Sequence, residues 1–149
     1  MLRRTFLMGA AAAAVLMTAG SVAPSKAARR IGVIVNVTVA GNTGPVRIYA
    51  HSSFWNNTPS GACSVQAVGS PLFFYGAPRH LSFSAPNQAH LQAEGLYNRR
   101  PARLIMDISS DPGNVAFSIL QDGNVVLSSL TDAQNRPGLL WGSVQIFAP

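Results

Sequence analysis

The stretch Gln121-Asp122-Gly123-Asn124 constrains the fold of this chain more than any other part of the sequence. An Asp-Gly pair between two alternating apolar runs is the strongest local signal for a tight β-hairpin, because both central residues of a type I′ turn need positive φ. A two-residue loop at this pair sets the register of the two strands. The expected cross-strand pairs are Leu120–Val125, Ile119–Val126, Phe117–Ser128 and Val115–Leu130.

A third strand is predicted ahead of this hairpin. Leu104, Met106 and Ile108 stand at alternate positions, and a turn-rich segment at 109–114 follows them. Period-2 alternation is typical of a half-buried strand. Residues 102–130 are therefore predicted to form a three-stranded antiparallel meander.

Alternating apolar residues predict further strands outside the meander. The clearest case is the run of valines at every second position from Val33 to Val39. The predicted strands before residue 80 cover 31–39, 46–51, 64–68 and 71–75. In the last strand, one side is expected to carry Leu140, Val144 and Ile146.

The register of a hairpin around Pro86 depends on its loop length. A two-residue loop sets the apolar Phe83 against His90, whereas the three-residue loop Pro86-Asn87-Gln88 keeps apolar residues on one face. Register follows the buried face, so the three-residue loop is predicted. The expected inner pairs are Ala85–Ala89, Phe83–Leu91 and Leu81–Ala93, and the outer pairs are Ser84–His90, Ser82–Gln92 and His80–Glu94.

Short strands and frequent turns, with no trustworthy helical period after the first thirty residues, predict an all-β fold. We expect an antiparallel β-sandwich of about nine short strands, with a barrel as the alternative. A length of 149 residues fits one domain, expected to cover residues 28–149.

Residues 1–27 have the composition of a cleaved signal peptide. Arg3 and Arg4 precede Phe6 and an alanine-rich apolar run, and Ser25-Lys26-Ala27 supplies a small-residue cleavage pattern. These are the parts of an export signal. The arginine pair resembles bacterial twin-arginine signals. We therefore predict export to the periplasm or the extracellular space, with no transmembrane segment in the mature chain.

Charge and motif content argue against several classes of function. The predicted signal contains three of the eleven basic residues, so eight remain against five acidic residues, a net charge of +3 instead of +6. A scattered charge of this size does not predict nucleic-acid binding. No Gly-x-Ser-x-Gly elbow, phosphate-binding loop or Cys-x-x-Cys pair is present. The single cysteine, Cys63, is expected to be buried and inert or to pair between molecules.

The turn-rich segment 52–62 carries the first candidate binding residues. It is predicted to be a long loop, and its adjacent aromatics Phe54 and Trp55, with Asn56, are candidates for anchoring a partner. The alternative is that the two rings pack over the end of the core.

A second candidate lies in the segment 96–103, predicted to be a basic connection between strands. Its residues Arg99 and Arg100 are candidates for contacting an anionic partner. The alternative is a solvated basic turn.

The outer face of the hairpin around Pro86 carries His80, His90 and Glu94. Opposite each other, His80 and Glu94 would suit an acid–base pair or a pair of metal ligands, with His90 as a second imidazole. A solvated sheet face has the same composition. These three residues are the candidate metal or hydrolytic site.

No motif predicts catalysis, and no cofactor is expected. The leading interpretation is a non-catalytic binding or interaction module for a protein, a glycan or another component of the cell envelope. One alternative is a small metal-binding protein or hydrolase that uses the His80, His90 and Glu94 face. The other is a surface or pilus-like structural subunit, which many strands and low charge would suit.

Overall fold

Nine antiparallel β-strands make up most of the computed structural model, which describes residues 30–111, 113–130 and 139–149. The strands are β1 (Gly32–Gly41), β2 (Gly44–Trp55), β3 (Thr58–Ala67), β4 (Phe73–Ala85), β5 (Gln88–Tyr97), β6 (Arg100–Ser110), β7 (Gly113–Gln121), β8 (Asn124–Ser128) and β9 (Leu139–Phe147). Within the described ranges there is no helix long and apolar enough to cross a membrane. The predicted signal peptide at 1–27 lies outside the described residues.

The strands form one continuous sheet in the order β9-β1-β2-β3-β4-β5-β6-β7-β8. Every neighbouring pair is antiparallel, and the sheet curls into a half-barrel. At one end of the curl, β1 and the segment after β8 come together. Gly41 and Ser129 form an antiparallel bridge, and the amide of Leu130 donates to the carbonyl of Ala40 at 2.8 Å.

The prediction of an all-β fold with about nine antiparallel strands is confirmed. The strands belong to one curled sheet, however, instead of the two sheets of the expected sandwich. The physical reason lies in the connections. A two-sheet Greek-key sandwich needs connections that cross from one sheet to the other, whereas here consecutive strands from β1 to β8 pair directly.

Alternate residues of the strands point to the inner face of the curl and form the hydrophobic core. In β1 the predicted valine alternation is confirmed, since Val33, Val35, Val37 and Val39 are all buried. The largest fully buried side chains elsewhere are Ile48, Phe74, Leu91, Leu104, Met106, Ile119 and Leu127. Burial of each such side chain stabilises the fold by about 1.5–3 kcal/mol. The outer face is left free for polar and exposed aromatic side chains.

The central hairpin has the predicted turn and only the first of the predicted pairs. Asp122 and Gly123 have φ values of 54° and 78°, as a type I′ turn requires. A bulge follows, and the observed pairs are Leu120–Val125, Ile119–Leu127 and Ser118–Ser128. Because of this bulge, the structure does not contain the expected pairs Ile119–Val126, Phe117–Ser128 and Val115–Leu130. The extra residue turns Leu127 into the core, where it is buried.

The hairpin around Pro86 has a different register from the predicted one. Its turn contains two residues, and bulges occur between Phe83 and Ala85 and between Pro78 and His80. The observed pairs include Ala85–Gln88, Phe83–Ala89, Ser82–His90, Leu81–Leu91, His80–Gln92 and Ala77–Glu94. The predicted loop and its six pairs are therefore wrong. The longer loop was expected to keep apolar side chains on one face. The bulges have this effect instead, because each extra residue shifts the register and returns apolar side chains to the inner face.

Two segments form tight hairpins instead of the predicted connections. They are 52–62, predicted to be a long loop, and 96–103, predicted to be a basic connection. In each, the strands continue to a two-residue turn in the left-handed region. The turn residues and their φ values are Asn56 (51°), Asn57 (63°), Asn98 (52°) and Arg99 (67°). Asparagine, which occupies three of these four positions, tolerates this conformation better than most residues, so the turns form without glycine.

One position of the last strand differs from the prediction. A bulge lies between Leu139 and Trp141. As a result Leu139, instead of Leu140, packs against the core with Val144 and Ile146, and Leu140 is exposed.

Candidate functional site

A groove of about 700 Å³ on the outer surface is lined mainly by apolar side chains. Its lining residues are Pro71, Phe73, Tyr75, Leu96, Asn98 and Arg99. We call it the aromatic groove. It lies between the β3–β4 connection and the β5–β6 turn.

Strand alternation explains why the walls of the aromatic groove are exposed. Phe74 points inward and is buried, so Phe73 and Tyr75 on either side of it must point outward. Tyr75 pairs with Leu96 on β5. The exposed fractions are 50% for Phe73, 62% for Tyr75 and 51% for Leu96. Adjacent exposed apolar side chains of this size are typical of an interaction site.

The β5–β6 turn is fixed from two sides. The amide of Asn98 donates to the carbonyl of Phe73 at 3.4 Å, which ties the turn to β4. From the other side, the side-chain Nε2 of Gln121 donates to the backbone carbonyl of Tyr97 at 2.9 Å and to that of Arg100 at 3.1 Å. The backbone from which the Arg99 side chain extends is therefore held in place.

Arg99 and Arg100 have different surroundings, although they are adjacent in sequence. Arg100 forms an ion pair with Asp122, with 2.6 Å between its Nη2 and Oδ2. Arg99 lines the aromatic groove and has no acidic partner among the described residues. Of the two predicted anion contacts, Arg99 is thus the one whose charge is not already neutralised.

A second recess of about 500 Å³ provides a contrast in charge. It is lined by residues of both signs, including Glu94, Arg103 and Asp122. The aromatic groove has a cation and no acidic side chain in its lining. An anionic ligand would therefore meet charges of both signs in the second recess and only a positive charge in the aromatic groove.

Phe54, Trp55 and Asn56 lie at the other end of the strands from Arg99. Phe54 pairs with Pro59 next to the turn between β2 and β3, and Trp55 is 74% exposed there. The predicted binding residues therefore form two separate groups. The alternative for these two rings was packing over the end of the core. Trp55 does not pack there, whereas Phe54 is partly covered and is 37% exposed.

His80, His90 and Glu94 are only partly brought together. The rings of His80 and His90 have centroids 6.1 Å apart. Glu94 contacts Arg79 instead, at 3.6 Å, since the bulges in β4 move it away from a position opposite His80. Within the described part of the chain, no group of three or more histidine, cysteine, aspartate or glutamate side chains is arranged to hold a metal ion.

Asp107 is the polar partner of His90 that the sequence reasoning missed. It lies opposite His90 on β6, and its Oδ1 is 2.8 Å from His90 Nδ1. The side-chain amide nitrogen of Gln92 lies 3.1 Å from His90 Nε2, so both ring nitrogens of His90 have a polar neighbour. Strand alternation is the signal that could have identified Asp107, because it places this residue on the outer face, between the inward Met106 and Ile108.

Comparison of the chain with protein-family models, with curated proteins and with solved structures found no match.

Proposed function

We propose that this protein is an exported, non-catalytic binding module that holds its ligand in the aromatic groove. The export part of the proposal comes from the composition of residues 1–27. The binding part is carried by one observation: Phe73, Tyr75 and Leu96 are half or more exposed and share one recess with Arg99, which has no acidic partner among the described residues.

These side chains contribute little to folding where they stand. Their strands are already held by inward residues such as Phe74 and Ala93, both fully buried. Large apolar side chains left in water next to one another lose the stabilisation that burial would give them, about 25 cal/mol for each Å² of apolar surface. A ligand that covers them recovers that free energy, and tyrosine and arginine are the residue types that most often dominate binding.

The test compares two exposed aromatic residues at opposite ends of the sheet. Protein, polysaccharide and lipid fractions of the bacterial envelope are passed over the immobilised wild-type protein, Tyr75→Ala and the control Trp55→Ala. We expect one fraction to be retained by wild type and Trp55→Ala, and retained at least tenfold less by Tyr75→Ala.

Two results would contradict the proposal. Equal retention by wild type and Tyr75→Ala would exclude the aromatic groove as the binding site. Selective loss in Trp55→Ala would move the site to the hairpin that carries Phe54 and Trp55. Circular dichroism of each variant separates loss of binding from loss of folding, and Tyr75→Phe, which keeps the ring, should retain the fraction.

A further inference from the structure

The outer face around the aromatic groove has a regular cross-strand arrangement. Tyr49, Ser64, Tyr75 and Leu96 are successive partners across β2, β3, β4 and β5. Neighbouring strands lie about 4.8 Å apart, so the Cα atoms of Tyr49 and Tyr75 are separated by roughly 10 Å. Because the residue between them is the small Ser64, we expect a furrow between the two exposed tyrosine rings, one of which, Tyr75, also lines the aromatic groove.

The adjacent row adds cations and polar groups. Arg47, Gln66 and Phe73 are partners across β2, β3 and β4. Arg47 is exposed, and like Arg99 it has no acidic partner among the described residues. The two arginines therefore stand on either side of the aromatic side chains, on a face where Ser64, Gln66 and Asn98 supply further hydrogen-bonding groups.

From this arrangement we infer that the ligand is an anionic glycan, a chain of pyranose rings that carry carboxylate groups. This inference rests on the proposed function and names its ligand class. A pyranose ring has an apolar C–H face that stacks on a flat aromatic ring, whose face is electron-rich. Its hydroxyl groups pair with amide and hydroxyl side chains, and a carboxylate accepts paired hydrogen bonds from a guanidinium group.

Other ligand classes fit the same surface less well. The core of a protein–protein interface is apolar with polar groups at its rim, whereas here Ser64 and Gln66 lie between the aromatic residues. A single-stranded nucleic acid is held by a positively charged groove that follows its backbone, whereas the two rows described above contain one arginine, Arg47, with Arg99 beside them in the β5–β6 turn. An acyl chain offers no partner for the polar side chains of the furrow.

The test uses polygalacturonate and alginate, two carboxylate-bearing glycans of different linkage, and methyl-esterified polygalacturonate as a neutral control with the same ring. Affinity is measured by calorimetry with the purified protein. We expect at least one acidic glycan to bind, and the methyl ester to bind at least tenfold more weakly than the free acid. Raising the salt concentration should weaken the acidic complex.

Four variants locate the binding site. Tyr75→Ala and Arg99→Ala should each weaken binding at least tenfold. Arg79→Ala is the control and should leave the affinity unchanged. Arg79 is an exposed arginine on β4 that already contacts Glu94. Tyr75→Phe keeps the stacking ring and should bind within threefold of wild type, which separates ring loss from misfolding.

The inference is overturned if neither acidic glycan binds, if the methyl ester binds equally well, or if oligouridylate displaces the glycan at lower concentration. Failure here is distinguishable from failure of the proposed function. If Tyr75→Ala still abolishes retention of a protein or lipid fraction, the aromatic groove remains the binding site and only the ligand class is wrong. If no retention depends on Tyr75, both are wrong.

Discussion

Burial determines the chemistry of single residues in this fold, and Cys63 is the clearest example. It is buried on β3, pairs with Gly76 on β4 and is a free thiol. Burial raises the pKa of the Cys63 thiol to about 12. Of the two expectations for this cysteine, the structure supports the buried and inert one. We predict no reaction with a thiol reagent at pH 8 until the protein is unfolded in guanidinium chloride.

The raised pKa of Cys63 also predicts a dependence of stability on pH. The unfolded thiol loses its proton near pH 9, before the folded one does. The associated stabilisation is therefore complete below pH 9 and is lost between pH 9 and about pH 12, at roughly 1.4 kcal/mol for each pH unit. Chemical denaturation of wild type should show this loss, and Cys63→Ala should show a smaller one. A remainder is expected because burial also raises the pKa of Tyr97.

At the scale of elements, left-handed turn residues make the tight hairpins possible. Gly123 has a φ of 78°, and a methyl group added there would meet no other atom within 4 Å. Gly123→Ala should therefore cost about 1–2 kcal/mol through the backbone alone. Gly113→Ala is the matched control, because its Cβ would reach only Leu139 Cδ2 at 3.9 Å and its φ is not in the left-handed region. That control should be neutral or stabilise slightly. Urea denaturation measures both, and equal effects would contradict a backbone origin.

At the scale of the whole molecule, we expect the curl to depend on the contact between the end of β1 and the end of β8. The Ser128 amide donates to Asn42 Oδ1 at 3.3 Å, and the Asn42 amide donates to the Ser128 carbonyl at 2.9 Å. Asn42→Ala should cost about 1 kcal/mol and speed amide exchange at Ser128 and Leu130, while amides in β5 and β6 keep their protection. Gln145→Ala, an exposed change on β9, is the control. Unchanged exchange in Asn42→Ala would show that the contact does not hold the curl.

Local patterns determined the strand content and much of the core. The valines of β1 alternate because a strand with one buried face requires it, and that requirement is visible without the fold. The Asp122-Gly123 turn was predictable for the same reason, since positive φ favours these residues locally. The turns at Asn56 and Asn98 were missed because Asn-Asn and Asn-Arg are weaker local signals than Asn-Gly or Asp-Gly.

The bulges and the candidate site depend on contacts between strands and could not be predicted from local patterns. A bulge in β4, β8 or β9 depends on how a strand bends to bring Leu81, Leu127 or Leu139 into a shared core, which is a property of the whole curl. The aromatic groove depends on register between strands. The sequence identified Phe54, Trp55, Arg99 and Arg100 as candidates by residue type, each within its own segment. Tyr75 and Leu96, in contrast, form one surface only when β4 and β5 pair. Local alternation is sufficient to predict that this chain forms strands with one buried face. Cross-strand register determined which outward side chains meet, because that register is set by packing over long sequence separations.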